Sequence, residues 1–164
     1  AVLSSLLAQK LGLPKEEVKM VEIAALLHDV GKIGISDSIL KKDGPLDETE
    51  MQEIREHPVL AARILNSGNL RKLVPWIRSH HERWDGSGYP DGIAGTDIPL
   101  QSRIIAVCDA YDAMVSERHY RGALKRETAL SIIEQEAGKQ FDPDVAQAFV
   151  EMMREHEVRD VSRA

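Results

Sequence analysis

The stretch "VKMVEIAALLHDVGK" (18–32) is the strongest structural signal in the chain. It predicts a helix that begins at Pro14, where proline suits the first turn, and ends at Gly31. His28 and Asp29 stand near the end of this helix, after residues that are almost all apolar. Such groups are destabilising in an apolar setting unless they find partners, and a metal ion satisfies both. A hydrogen-bonded core histidine beside a C-terminal aspartate is the equally open alternative.

Helical patterns continue on both sides of this stretch. Further helices are predicted over 1–11, over 47–66 with Pro58 starting or kinking a second part, and over 70–82, 100–116, 126–137 and 143–156. Asp47 with Glu50 resembles a capping box, and Asp142 is the expected N-cap of the last helix. No stretch alternates apolar and polar residues as a half-buried strand does. The sequence therefore predicts an all-α, single-domain helical bundle of about seven helices.

Composition limits the classes of protein to consider. The 164 residues suffice for a core without disulfides or metal staples, and with only 4% aromatic residues that core must be largely aliphatic. A net charge of -6 argues against binding along a nucleic-acid backbone. Cys108, the single cysteine, is expected to be buried and inert. No segment is apolar enough for a membrane span, so we expect a soluble, cytoplasmic protein.

Histidines also occur where later helices end. Residues 80–92 read "HHERWDGSGYPDG", in which His80 and His81 run directly into a loop of turn-forming residues. On its own this junction is also compatible with two solvated histidines at a helix C-terminus. His57 lies at another helix junction, and Asp109 interrupts the apolar run "AVCDAYDAM". These groups and the His28–Asp29 pair could converge in one cavity.

The donor types indicate which metals would suit such a cavity. Imidazole nitrogens with carboxylate oxygens and no thiolate favour Fe, Mn, Ni, Co or Zn over Ca or Mg. Six ligands that include one shareable carboxylate fit two ions better than one. Two metals about 3.5 to 4 Å apart are a recurrent device for cleaving phosphate esters.

Three motifs in this order, "HDVGKIG" (28–34), "HHERWDGSGYP" (80–90) and "DAYDAM" (109–114), resemble the HD-GYP family, a branch of the HD-domain metal phosphohydrolases. The likeness runs from about Leu11 to Phe149. It implies an all-helical domain that hydrolyses the bacterial second messenger cyclic di-GMP to pGpG and often on to GMP. It also implies a metal centre that frequently holds iron or manganese, in the output half of a bacterial signalling or two-component protein.

The resemblance assigns roles position by position. Asp29 would be the carboxylate shared between two metals, and Lys32 would meet the substrate phosphate. Arg118 and Arg121 match cations that hold substrate phosphates, although a solvated surface explains them as well. The loop from 83 to 99, with Trp84 and Tyr89 at the pocket rim, is implicated in contacts with diguanylate cyclase domains. The matched metal ligands are His28, Asp29, His57, His80, His81 and Asp109.

The N-terminus departs from the family pattern. A further histidine of the family, often with a nearby glutamate, would precede Ala1, and the chain lacks an initiator methionine. We therefore expect residues 1–164 to be an HD-GYP domain truncated within its first helix, with a sensor or receiver domain upstream and two ions rather than three. The sequence is also compatible with a homodimer. Two rival functions are to be considered as well. The first is a non-catalytic module that binds cyclic di-GMP or a cyclase partner, and the second is an HD hydrolase for another nucleotide such as cyclic GMP-AMP.

Overall fold

A computed structural model of the chain describes residues 1–117 and 122–161, with side chains up to residue 155. In these ranges the backbone is helical, without a β-strand; Ala137 and Phe141 form an isolated bridge. The predicted all-α class is confirmed. The α-helices are α1 (Val2–Lys10), α2 (Lys15–Leu27), α3 (Asp37–Leu40), α4 (Glu48–Arg55), α5 (His57–Leu65), α6 (Val74–Arg78), α7 (Leu100–Val115), α8 (Arg126–Gln135) and α9 (Pro143–Val161).

Two predicted helices are shorter than the sequence pattern suggested. The helix expected to reach Gly31 ends at Leu27 and continues, after a turn, as the 3-10 helix Val30–Gly34. The helix expected over 70–82 consists of the 3-10 helix Gly68–Leu73 and the short α6. Pro75 explains why α6 begins at Val74, because proline has no N–H to donate and is best placed in the first turn of an α-helix.

Two helix starts follow their sequence signals. The Asp47 side chain accepts from the backbone N–H of Glu50, and the Glu50 side chain accepts from that of Asp47, which completes the expected capping box. Asp142 Oδ1 lies 2.8 Å from the Asp144 nitrogen and 3.3 Å from the Val145 nitrogen, so it caps α9. Each cap of this kind stabilises a helix by about 1 kcal/mol.

The core consists of two packed clusters. The larger joins α1, α7, α8 and α9 around side chains such as Leu7, Ile104 and Phe149. It also buries Cys108, and burial raises the pKa of this thiol to about 12, as expected for an inert cysteine. Within the described ranges, none of the helices combines the length and apolar character needed to cross a bilayer.

The smaller cluster positions the histidines. Ala24 of α2, Ala61 of α5 and Ile77 of α6 pack together in it, all almost fully buried. Each of these helices has a histidine at one end: His28 follows α2, His57 begins α5, and the pair at 80–81 follows α6. Packing of the three helices therefore gathers the histidine-bearing ends at one place.

Candidate metal centre

Three buried or half-buried histidines share one arrangement of the ring. In each, Nδ1 lies within hydrogen-bond distance of the carbonyl oxygen three residues earlier. A carbonyl can only accept, so Nδ1 carries the proton and Nε2 is left with a free lone pair. Metal-binding histidines typically have the second ring nitrogen held in this way. The distances are 2.8 Å for His28 to Ala25, 2.7 Å for His57 to Ile54 and 2.5 Å for His80 to Ile77.

These Nε2 atoms point into a common space. The Nε2 atoms of His57 and His80 are 3.4 Å apart, and two lone pairs cannot form a hydrogen bond with each other. His28 Nε2 is buried, without a hydrogen-bond partner among the described residues, and lies 3.4 Å from Asp109 Oδ1. A cation placed among these electron-pair donors would satisfy all of them. The donor set therefore fits a metal ion.

Asp29 lies between two of the histidines. Its Oδ2 is 3.6 Å from His28 Nε2, and its Oδ1 is 3.4 Å from His57 Nε2. Two groups that share His80 have ligand atoms within 4.8 Å of one another. One is His57 with His80 and His81, and the other is His28 with Asp29 and His80. The Asp29 carboxylate therefore faces histidines of both groups.

His81 completes the cluster from the turn after α6. Its ring centroid lies 4.0 Å from that of His80 and 4.9 Å from that of His57. On its other side it stacks on Tyr89, with centroids 4.9 Å apart and planes inclined by 24°. Consecutive residues can share this site because His80 and His81 lie outside the regular helix, which would separate neighbours by about 100°.

The local electrostatics favour neutral imidazoles on one side of the cluster. Burial lowers the pKa of His57 and lowers that of His80 well below its usual range; the charge of His81 adds to the effect on His80. Burial, followed by the charge of His57, lowers the pKa of His81 to about 3. These rings are therefore unprotonated at neutral pH, which is the form that binds metal.

The opposite side attracts positive charge. Burial opposes protonation of His28, but the close approach of the Asp109 carboxylate and the charges of Asp29 and Asp109 outweigh it and raise the pKa. Burial also opposes ionisation of Asp109, yet the nearby His28 ring and its charge hold the pKa of Asp109 at about 2. Two carboxylates thus face His28 Nε2, where a proton or a metal ion would be stabilised.

The other predicted site residues are distributed unevenly. Lys32 reaches the cluster from the 3-10 helix, with Nζ 2.6 Å from Asp29 Oδ2. Arg118 and Arg121 lie outside the described residues. Of the two expected rim aromatics, only Tyr89 is at the site; Trp84 lies beside Arg103, whose guanidinium is 5.8 Å from the indole centroid. The backbone explains this, because the Trp84 N–H donates to the carbonyl of Gln140 at 3.1 Å.

Three residues near the site were missed from the sequence. The Arg55 guanidinium lies 5.5 Å from the centroid of the Tyr89 ring, as an exposed cation at the rim. Glu82 is almost fully buried directly after His81. A Cβ on Gly31 would lie 1.9 Å from the carbonyl oxygen of His57, so only glycine lets the 3-10 helix approach α5 this closely. Their spacing in the sequence carries no signal for any of these contacts.

A cavity of about 340 Å³ adjoins the cluster. His28 and Asp109 line one side of it, together with Asp112 and apolar side chains such as Leu3 and Ile105. Carboxylates and imidazole therefore meet a space large enough for part of a small-molecule ligand.

Comparisons with known proteins identify the family of this chain. The sequence profile of the HD domain family matches residues 1–145. The chain is 44% identical over 151 residues to the "Cyclic di-GMP phosphodiesterase response regulator RpfG" of Xanthomonas campestris pv. campestris (strain 8004), covering 90% of this chain and 40% of the relative. It is 39% identical over 145 residues to the "3'3'-cGAMP-specific phosphodiesterase 3" of Vibrio cholerae, covering 88% of this chain and 32% of the relative. The chain thus spans less than half the length of these relatives.

A solved structure has the same fold. The HDG"Y"P protein Bd1817 from Bdellovibrio bacteriovorus superposes with a TM-score of 0.73 at 19% identity, over 93% of this chain and 49% of that chain. The helical architecture, the profile match over residues 1–145 and the motifs at 28–34 and 80–90 lead to one assignment. This chain belongs to the HD domain family, in its HD-GYP branch.

Proposed function

We propose that this chain hydrolyses the phosphodiester bonds of cyclic di-GMP with the help of bound divalent metal ions. The observation that carries the proposal is the convergence of the histidine Nε2 lone pairs, which no N–H or O–H group occupies, with the carboxylates of Asp29 and Asp109. The 44% identity to a relative named as a cyclic di-GMP phosphodiesterase supports this choice of substrate. The proposed ligands are His28, Asp29, His57, His80, His81 and Asp109.

Two ions suit the two ligand groups, with Asp29 between them. Mixed imidazole and carboxylate ligands favour Fe or Mn, with Ni, Co and Zn as alternatives. Bound divalent ions would supply Lewis acidity toward the phosphate and would activate water for its hydrolysis. The two carboxylates that face His28 Nε2 balance part of the positive charge that two ions introduce.

The chain's own residues would bind and orient the phosphodiester. Lys32, an ammonium ion held 2.6 Å from Asp29 Oδ2, would stabilise negative charge that develops on the phosphate oxygens. Arg55 and Tyr89 form a cationic and aromatic rim that suits a phosphate or a purine ring. We retain Arg118 and Arg121 as proposed phosphate-binding residues.

A second candidate substrate is 3'3'-cGAMP, because a relative named for that specificity is 39% identical over 88% of this chain. The two cyclic dinucleotides share the phosphodiester ring and differ in one base. A third candidate, a binding module without turnover, is less favoured, since such a module does not need converging metal ligands. We also propose that the chain serves as the output domain of a bacterial signalling protein and contacts diguanylate cyclase domains through residues 83–99.

The decisive experiment combines metal analysis with turnover. Protein purified without oxygen is analysed for metal content and then assayed with cyclic di-GMP and 3'3'-cGAMP, with pGpG and GMP separated as products. We expect about two metal ions per chain and a higher kcat/KM for cyclic di-GMP. A higher value for 3'3'-cGAMP would transfer the proposal to the second substrate. Metal binding with no hydrolysis of either would favour the binding module.

Lys32→Gln should lower kcat by about 100-fold or more, because the variant loses a charge that stabilises the transition state. Metal content should stay near that of the wild type, since Lys32 is not a ligand. The matched control is Lys41→Gln, because Lys41 makes an ion pair of the same 2.6 Å length with Asp37 on an exposed surface. Equal kcat values for the two variants would remove Lys32 from the mechanism.

A further inference from the structure

Glu82 has an unusual position for an acidic residue. It follows His81 directly, its relative exposure is 4%, and it forms no ion pair among the described residues. Its Oε1 accepts two backbone hydrogen bonds, from Asp91 N at 2.7 Å and from Gly92 N at 3.1 Å. One carboxylate oxygen therefore joins the start of the 82–92 loop to its end.

The 82–92 loop lies directly on the backbone of Glu82. A Cβ on Gly88 would be 2.5 Å from the Glu82 Cα and 2.4 Å from the Arg83 nitrogen, so a larger residue does not fit there. The next residue, Tyr89, donates its backbone N–H to the carbonyl of His81 at 3.3 Å. The loop thus folds back over the residue from which it started.

This fold-back places the Tyr89 ring against the imidazole of His81. Tyr89 stands between Gly88, which rests on the Glu82 backbone, and Asp91, whose N–H bonds to the Glu82 side chain. Asp91 is also bound by Arg78 through two hydrogen bonds of 2.7 Å. Both ends of the segment that carries Tyr89 are consequently held. At the Asp91 end the attachments are the Glu82 carboxylate and the Arg78 guanidinium.

The burial of Glu82 strengthens this attachment. Its Oε2 is buried without a hydrogen-bond partner among the described residues, and Glu82 lines a small cavity together with Trp84 and Arg103. In such a low-dielectric setting, hydrogen bonds from N–H groups to a carboxylate are stronger than at the surface. Replacement by a side chain without an acceptor would leave two loop N–H groups unsatisfied.

We propose that Glu82 is a positioning residue for the metal centre: it closes the 82–92 loop and so holds Tyr89 against His81, which keeps the His80–His81 pair in its metal-binding orientation. The inference rests on the proposed metal site but not on the identity of the substrate. Glu82 acts through the loop and through His81, and it is not itself a proposed metal ligand.

The test compares Glu82→Ala, Glu82→Gln and the exposed control Glu127→Ala on α8. Hydrogen exchange of the Asp91 and Gly92 amides, measured by NMR, reports on loop closure. Titration of metal-free protein with Co²⁺, followed by its absorption spectrum, reports on affinity and ligand geometry. Far-UV circular dichroism checks that the helices persist.

In Glu82→Ala we expect the hydrogen-exchange rate of both amides to rise at least about tenfold. The affinity for Co²⁺ should fall about 10- to 100-fold, because the loss of a group that orients a metal ligand has an effect of this size. Glu82→Gln should restore both quantities to near wild-type values, because its amide oxygen still accepts. The control should match the wild type. Faster exchange with unchanged Co²⁺ affinity and spectrum would reduce Glu82 to a purely structural role and overturn the proposal.

Glu82→Asp provides an independent test if Glu82→Ala does not fold. The shorter side chain keeps the charge but withdraws the acceptor from the loop, so Co²⁺ affinity should fall about threefold or more. Unchanged affinity would again overturn the proposal. Wild-type protein that binds no Co²⁺ would overturn both this inference and the proposed metal site, whereas normal wild-type binding with unaffected variants would overturn this inference alone.

Discussion

His57→Ala is expected to remove bound metal and hydrolytic activity together. His57 Nε2 lies 3.4 Å from both His80 Nε2 and Asp29 Oδ1, so the imidazole faces both ligand groups. Loss of outer contacts alone can weaken metal binding by 10- to 100-fold, and loss of a direct ligand should weaken it by at least about 100-fold. Metal content after dialysis and the rate of cyclic di-GMP hydrolysis measure the two effects.

The helical fold should persist in this variant, because His57 belongs to neither apolar cluster of the core. The matched control is Ile133→Ala, which removes a fully buried side chain from α8 and should destabilise the protein by about 2–5 kcal/mol while retaining the metal. Loss of helicity in His57→Ala but not in the control would show that His57 is structural. Full metal content would show that it is not a ligand.

Gly31→Ala should be among the most destabilising small substitutions in the chain. The added Cβ would meet the His57 carbonyl oxygen at 1.9 Å and the Ala61 nitrogen at 2.6 Å, both backbone atoms of α5. Backbone cannot rotate away as a side chain can, so α5 must shift. We expect the free energy of unfolding to fall by about 3 kcal/mol or more, the upper part of the range for overpacking. Metal affinity should fall too, because the shift moves His57 relative to Asp29.

Gly34→Ala is the matched control in the same 3-10 helix. Its Cβ would approach only the Leu60 side chain, at 2.9 Å from Cδ1, and that side chain can adopt another rotamer. Urea unfolding should therefore show a loss of less than about 1 kcal/mol. Equal stability of the two variants would mean that the close approach of the 3-10 helix to α5 is not needed for the fold.

The all-α class and the residue types of the candidate metal centre could be predicted from local sequence patterns. Apolar periodicity and the signals at Asp47 and Asp142 act within one or two helical turns, so they are readable in the sequence itself. The positions of the histidines at helix ends and junctions were readable for the same reason. Their roles as ligands and the phosphate-binding roles of Lys32, Arg118 and Arg121 stay predictions.

Sequence by itself determined that this chain forms helices, that the candidate histidines stand at helix ends or junctions, and that Asp109 interrupts an apolar helical run. Only the tertiary structure decided which ring nitrogen of each histidine faces the shared space, that Tyr89 rather than Trp84 covers His81, and that Glu82 is buried. These features depend on contacts between segments distant along the chain, such as Gly31 with α5 and Trp84 with Gln140. Periodicity reports the face of a helix that becomes buried, but it contains no information about the partner helix or the distance of approach.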